Sequence, residues 1–237
     1  VSAENVDPKT VQAATLTDYY FVASDLPTPT PVTTTASHAK PARIAIAWDA
    51  SLSRGRVDHA KEFELLKKHL ATLGDAMVEV IAFRNVPKPA KSFKLKGGDA
   101  TEILNYLAGL SSDGGTSLSS LSFRNDTPGI RDESLPAIAY YLLFTDGLCN
   151  LGPDLPAEIT VPVFAVSNDP RSNHTLLRRL ATSSGGQYLN LQSVTMDQAV
   201  EGLTDRPFSL LSIDADPKQI TDIYPHLPQP LRGPVTL

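Results

Sequence analysis

The sequence predicts an α/β protein: a doubly wound, mostly parallel sheet, with a small β unit built from the N- and C-terminal flanks. Three observations lead there. Apolar runs without a polar face, Ile44–Trp48, Ala137–Phe144 and Val161–Val166, read as strands buried on both sides. Segments with apolar residues every three or four positions fall between such runs, which is the alternation of a parallel sheet covered by helices. The two flanks contain strand-like segments with no helical pattern between them.

Taken in order, residues 1–17 show no periodicity, and Asp18–Ala23 (DYYFVA) is aromatic and β-branched enough for a strand. Leu26–Ala42 is dominated by Pro and Thr, so it reads as an extended connector that cannot join a helix. Residues 1–42 therefore form an N-terminal flank, 43–204 the main domain and 205–237 a C-terminal β flank. The stretch Arg43–Ser53 (RIAIAWDASLS) is a strand running into Asp49, Ser51 and Ser53. Val57, Ala60, Phe63, Leu66, Leu70 and Leu73 mark one face of a helix over Arg56–Leu73, with Gly74 as its closing glycine.

Met77–Phe83 is the next strand and Lys91–Leu95 a short edge strand. Asp99 and Glu102 have capping-box spacing for a helix through Leu110. The Gly/Ser-rich loop SSDGGTSLSS follows, and Ser117–Pro136 carries breakers (Asn125, Pro128, Gly129) that favour loops and turns. Ala137–Phe144 runs into Thr145-Asp146-Gly147, and Val161–Val166 into Ser167-Asn168. Asn173–Ser183 is a helix, Gln187–Leu191 a strand, and Thr195–Leu203 a helix with Thr195 and Gln198 as capping box. Beyond Phe208, FSLLSID and ITDIY read as strands.

Composition bounds the function. With 41% hydrophobic and 20% charged residues, the 237-residue chain has ample core for one larger domain or a domain with fragments of another. A net charge of −5 without a Lys/Arg-rich face excludes a nucleic-acid footprint. No apolar run reaches the length of a membrane span, so direct membrane insertion is not expected. The polar opening VSAENVDPKT has no signal-peptide pattern. The single cysteine, Cys149, rules out an internal disulfide and a thiolate metal cluster; it reads as a small buried hydrophobe.

Chemistry concentrates at three strand ends: Asp49, Ser51 and Ser53 in Asp-x-Ser-x-Ser, Thr116 after two glycines, and Asp146 before Gly147. In an open parallel sheet, ligands sit beyond the carboxyl ends of the strands. Two carboxylates and three hydroxyls form an all-oxygen donor set, which suits a hard cation such as Mg²⁺. Singly, each has a plain structural use as a cap or turn residue. His38, His59, His69, His174 and His226 show no metal spacing and read as solvated or satisfied packing residues. Lys67-Lys68 and Arg178-Arg179 read as solvated helix faces, and Glu62, Glu64 and Glu79 as conceivable second acids.

The set Asp49, Ser51, Ser53, Thr116 and Asp146 resembles the metal-ion-dependent adhesion site (MIDAS) of von Willebrand factor A domains, over roughly residues 43–204. The flanks, with DGGTSLSSLSF, LLFTDGLCNLG and LATSSGGQYLNL, are similar to bacterial relatives of inter-alpha-trypsin inhibitor heavy chains, which place a VIT domain before the A domain. The resemblance implies a Rossmann-like fold and a non-enzymatic role in adhesion or protein binding. It implies Mg²⁺, with Mn²⁺ or Ca²⁺ as alternatives, accepting a carboxylate from an Asp or Glu of a protein partner. It also implies a secreted, periplasmic or cell-surface location. One departure stands out: most A domains continue from the threonine into a long helix, and Ser117–Pro136 does not read as one. Two other readings stay open, a structural or assembly module with a vestigial metal site, and a metal-dependent hydrolase. The hydrolase lacks the second aspartate of haloacid dehalogenase sites, since Ser51 stands there, and Ser51 lacks a Gly-x-Ser-x-Gly elbow.

Overall fold

The computed structural model describes residues 2–5, 21–25, 40–126, 134–156, 158–204, 209–210, 229–230 and 235–236. The chain divides into two compact units, Val1–Ser37 with Pro207–Leu237, and His38–Arg206. In the first, β1 (Ser2–Asn5) pairs antiparallel with β2 (Phe21–Asp25).

The second unit opens on β3 (Arg43–Asp49), every residue of which is buried. A 3₁₀ turn (Leu52–Arg56) leads to α1 (Ala60–Leu73), then β4 (Ala76–Phe83), β5 (Lys91–Leu95) and α2 (Thr101–Ala108). After β6 (Ser122–Phe123) come β7 (Tyr141–Phe144), β8 (Glu158–Ile159) and β9 (Val163–Ser167). The unit closes with α3 (His174–Ser183), β10 (Tyr188–Asn190) and α4 (Met196–Thr204). Its main sheet has the order β10-β9-β7-β3-β4-β5. All neighbours are parallel except the edge strand β5, which runs antiparallel to β4. This is the doubly wound, mostly parallel sheet expected. From β3 the chain builds outward through β4 on one side and then through β7 on the other, so the strand order reverses between β3 and β7, the topological switch point where such sheets open a crevice.

The two faces are packed differently. Ile44, Ile46 and Trp48 of β3 lie in a core with Leu65, Leu66 and Leu70 of α1, Ile103 and Leu107 of α2, and Ala199 and Leu203 of α4. Trp48 stacks on Phe63 with ring centroids 5.5 Å apart. On the other face Ala45 and Ala47 lie with Leu176 and Leu180 of α3 and with Leu118, Leu121 and Phe123. Where a long helix is absent after Thr116, irregular chain supplies apolar side chains instead. Ser122–Phe123 in that stretch pairs parallel with β8, a strand the sequence pattern did not predict.

Several boundaries differ from expectation. The helix expected from Arg56 starts at Ala60, because Leu52–Arg56 winds as a 3₁₀ turn. The Asp99/Glu102 box does not form. Asp99 Oδ1 instead accepts from Thr101 N at 3.0 Å and Thr101 Oγ1 at 2.6 Å, so the helix begins at Thr101. The strand expected at Ala137 begins at Tyr141; Ile138 N donates to Asn125 O and Ala139 N to Arg43 O before it joins the ladder. The Thr195/Gln198 box does form, with Thr195 N donating to Gln198 Oε1 at 3.0 Å and Gln198 N to Thr195 Oγ1 at 3.3 Å.

Back in the first unit, β11 (Ser209–Leu210) pairs antiparallel with β12 (Gln229–Pro230), and β13 (Val235–Thr236) pairs antiparallel with β2. Asp18–Tyr20, most of the Leu26–Ala42 connector, Leu211–Asp214, Ile220–Tyr224, His38, His226, Pro128 and Gly129 lie outside the described residues.

Candidate functional site

Asp49 ends β3 at the switch point and is fully buried. Its Oδ1 accepts from Ser51 N at 2.9 Å, which folds the chain back in a tight turn. Its Oδ2 accepts from Thr145 Oγ1 at 2.6 Å, across from the end of β7. Asp146, also fully buried, lies two positions past the end of β7. Asp146 Oδ2 accepts from Ser53 Oγ at 2.6 Å, and Oδ1 from Leu148 N at 3.0 Å. Ser51 Oγ lies 3.2 Å from Ser53 Oγ. Four of the five residues singled out in the sequence are thus joined in one hydrogen-bonded cluster across β3 and β7.

Thr116 belongs to the same sheet edge through its loop. Leu52 N donates to Gly114 O at 3.1 Å and Asp113 N to Ala50 O at 3.1 Å, tying that loop to the Asp49–Ser53 turn. Thr116 N donates to Asn150 Oδ1 at 2.7 Å, and Thr116 O accepts from Asn150 N at 3.1 Å, tying it to the Asp146 loop. Thr116 is buried and both sides of its backbone are held, while its hydroxyl makes no hydrogen bond among the described residues. The two preceding glycines are required by this close approach. A Cβ on Gly115 would lie 2.5 Å from Asn150 Oδ1, and Gly114 holds φ +70° with a Cβ position 2.9 Å from Asn85 Oδ1.

The electrostatics of the cluster are unusual for a fold interior. Neither Asp49 nor Asp146 makes an ion pair among the described residues. Burial pushes the Asp49 carboxyl above the ordinary aspartate range. Hydrogen bonds from Thr145 and Ser51 pull it down, and the nearby Asp146 adds to the rise. Two buried carboxylates held only by hydroxyl and amide donors fit a divalent cation, which would balance their charge and accept the hydroxyl oxygens as further ligands. Among the described residues there is no cluster of three or more His, Cys, Asp or Glu that could hold a metal, so a cation here would rely on the serine and threonine oxygens.

Sequence reasoning missed Thr145, Asn150 and Asn85 as supports. Thr145 had a signal, a hydroxyl beside Asp146 at a strand end. The two asparagines act on residues 34 and 30 positions away and carry no local signature. The conceivable second acids are engaged elsewhere. Glu62 takes Arg54 Nη2 on both oxygens at 2.8 Å and lies 2.5 Å from His59 Nδ1; Glu79 takes Arg43 Nη2 at 3.0 Å and Ser92 Oγ at 2.6 Å. Glu64 pairs with Lys68, which also reaches Asp197; all three are exposed, so Lys68 lies on the solvated helix face expected. His69 is not a satisfied packing residue: Nε2 meets Tyr140 OH at 2.7 Å and Nδ1 is buried without a partner. Cys149 is half-buried, not buried, and burial raises its thiol.

No family model matches the chain, and no curated protein matches it. Among solved structures it is similar to an aerotolerance-related membrane protein from Bacteroides fragilis, at 15% identity and TM-score 0.51, covering 69% of this chain and 97% of that one. It is also similar to BatB from Bacteroides thetaiotaomicron, at 16% identity and TM-score 0.47, covering 68% and 97%. A von Willebrand factor type A protein from Catenulispora acidiphila matches at 11% identity and TM-score 0.47, covering 72% of this chain and 44% of that one. At these identities the likeness concerns the fold, a mixed α/β domain with a mostly parallel sheet and four helices. Among the described residues no helix is long and apolar enough to cross a membrane.

Proposed function

We propose that the protein is a divalent-cation-dependent protein-binding module of the von Willebrand A type. Asp49, Ser51, Ser53, Thr116 and Asp146 would hold Mg²⁺, or Mn²⁺ or Ca²⁺, and the ion would accept a carboxylate oxygen from an Asp or Glu of the partner. The observation that carries this reading is the pair of buried carboxylates without a cationic side chain, converging with hydroxyls at the switch point. The cation supplies a fixed positive charge for an anionic group of the partner. The chain's own part is positional: Thr145 and Ser51 N orient Asp49, Leu148 N orients Asp146, and Asn150 sets the height of Thr116.

A non-enzymatic role follows from the same reading, in which Asp49 and Asp146 hold the cation while Glu62 and Glu79 are ion-paired with Arg54 and Arg43. On sequence resemblance alone, the flanks at 1–42 and 205–237 would place the chain with the VIT-containing bacterial relatives of inter-alpha-trypsin inhibitor heavy chains, and with them at the cell surface or in the periplasm. The second reading, a structural module with a vestigial site, is favoured by one observation. Ser53 donates to Asp146, and Thr145 to Asp49, in a cluster already closed on itself. Calorimetric titration of the EDTA-treated protein with MgCl₂ and MnCl₂ separates the two. The first reading expects one-site binding that Asp146→Ala and Thr116→Val each weaken at least tenfold. No heat with either ion would favour the structural module.

A further inference from the structure

Among the described residues four large aliphatic side chains stand exposed: Leu52 at 66%, Val86 at 68%, Leu148 at 44% and Leu151 at 41%. All four belong to loops that leave the carboxyl ends of β3, β4 and β7, and each is tied to the candidate site. Leu52 lies between Ser51 and Ser53, and its N–H donates to Gly114 O at 3.1 Å. Leu148 N donates to Asp146 Oδ1 at 3.0 Å. Leu151 N donates to Thr116 O at 3.2 Å, and its Cδ1 would lie 2.9 Å from a Cβ on Gly115. Val86 follows Asn85, whose Oδ1 accepts from Gly115 N at 2.6 Å. Scattered exposed leucines are ordinary, but a set confined to one edge around a polar centre marks an interaction surface.

We infer that Leu52, Leu148, Leu151 and Val86 form an apolar rim around the cation site, and that the partner's acidic side chain is flanked by aliphatic or aromatic residues that seat on this rim. The inference rests on the cation-dependent reading and adds the chemistry of the partner's neighbouring residues. A polar centre within an apolar ring is how interfaces concentrate affinity: the ring excludes water and strengthens the central charge interaction. Protein over lipid follows from the cation reading: the ion takes the partner's carboxylate at the centre of the rim, and Arg84 on the same edge is already paired with Asp113 at 2.8 Å, so it is not free for lipid head groups.

The test is a selection from a random-peptide display library on the full chain in MgCl₂, eluted with EDTA. Peptides so recovered are then titrated against the wild type, Leu52→Ser, and the double variant Val86→Ser/Leu151→Ser. The inference expects recovered sequences to carry Asp or Glu with Leu, Ile, Met or Phe within two positions. It expects each variant to bind them at least tenfold more weakly while Mg²⁺ titrates into the peptide-free variants as into the wild type. Acidic peptides without apolar neighbours, bound equally by all three proteins, would overturn the rim and leave the cation reading intact. No EDTA-eluted peptide would overturn both. Leucine-dependent binding to phosphatidylcholine or phosphatidylserine vesicles, or leucine-dependent dimerisation in sedimentation, would reassign the face to lipid or to a second copy and overturn the partner proposed.

Discussion

Two regions of the main domain bury carboxylates, and they settle the charge in opposite ways. Glu79 and Glu62, inside the fold, each face an arginine that is itself buried: Arg43 at 3.0 Å and Arg54 at 2.8 Å. Asp49 and Asp146, at the switch-point edge, are just as buried but receive only hydroxyl and amide donors. Burying an unpaired charge is costly, so a fold normally carries its own counter-ion, as the first region does. The second region omits it, and the omission sits where parallel α/β sheets place their ligands. Internal charge is compensated within the chain, while the proposed cation would compensate the edge from outside.

The largest expected effect breaks the first region. Arg43→Met leaves Glu79 buried with Ser92 as its remaining side-chain partner and should cost about 3–5 kcal/mol in urea unfolding. Arg43→Met/Glu79→Met should recover most of that loss, since neither charge then remains. A third solution to burial is to stay neutral, and His69 uses it: desolvation lowers its pKa to about 4 from an ordinary 6.5. The unfolded chain therefore binds more protons between those values. The stability this contributes is complete above about pH 6.5 and is lost as pH falls toward 4, on the order of 3 kcal/mol. His69→Leu should flatten that part of a stability profile measured by urea titration.

Smaller effects sharpen the edge region. Thr145→Val removes the hydroxyl on Asp49 Oδ2 and, without divalent cation, should destabilise by about 1–3 kcal/mol, because the acceptor stays buried. Asp146→Asn under the same conditions should change stability by less than about 1 kcal/mol in either direction, since it removes a charge that the chain does not compensate while Ser53 and Leu148 keep a partner. That near-neutrality, set beside the cost of Arg43→Met, is the comparison in its sharpest form.

The sheet and the site residues were legible for one reason. Burial on both faces of β3 forces a continuous apolar run, so the sudden polarity of Asp49-Ala-Ser51-Leu-Ser53 stands out against it. The capping box at Thr195 was legible because both partners lie within four residues. Asp99 misled for the same local reason, since Thr101 offered it two nearer donors than the box required. The supports of the site were not legible. Asn150, Asn85 and Thr145 matter through contacts 34, 30 and 96 positions away, and an isolated loop asparagine looks the same whether or not it holds a threonine in place.

The most direct test of external compensation is a thermal melt in EDTA and in millimolar MgCl₂ or MnCl₂, for the wild type and Asp49→Ala. A cation that binds only the folded chain stabilises it by about 2.7 kcal/mol at a hundredfold excess over Kd. The account predicts a rise in Tm for the wild type and none for the variant. An unchanged wild-type Tm in both metals would contradict it, and the edge carboxylates would then be a buried charge the fold tolerates without a cation.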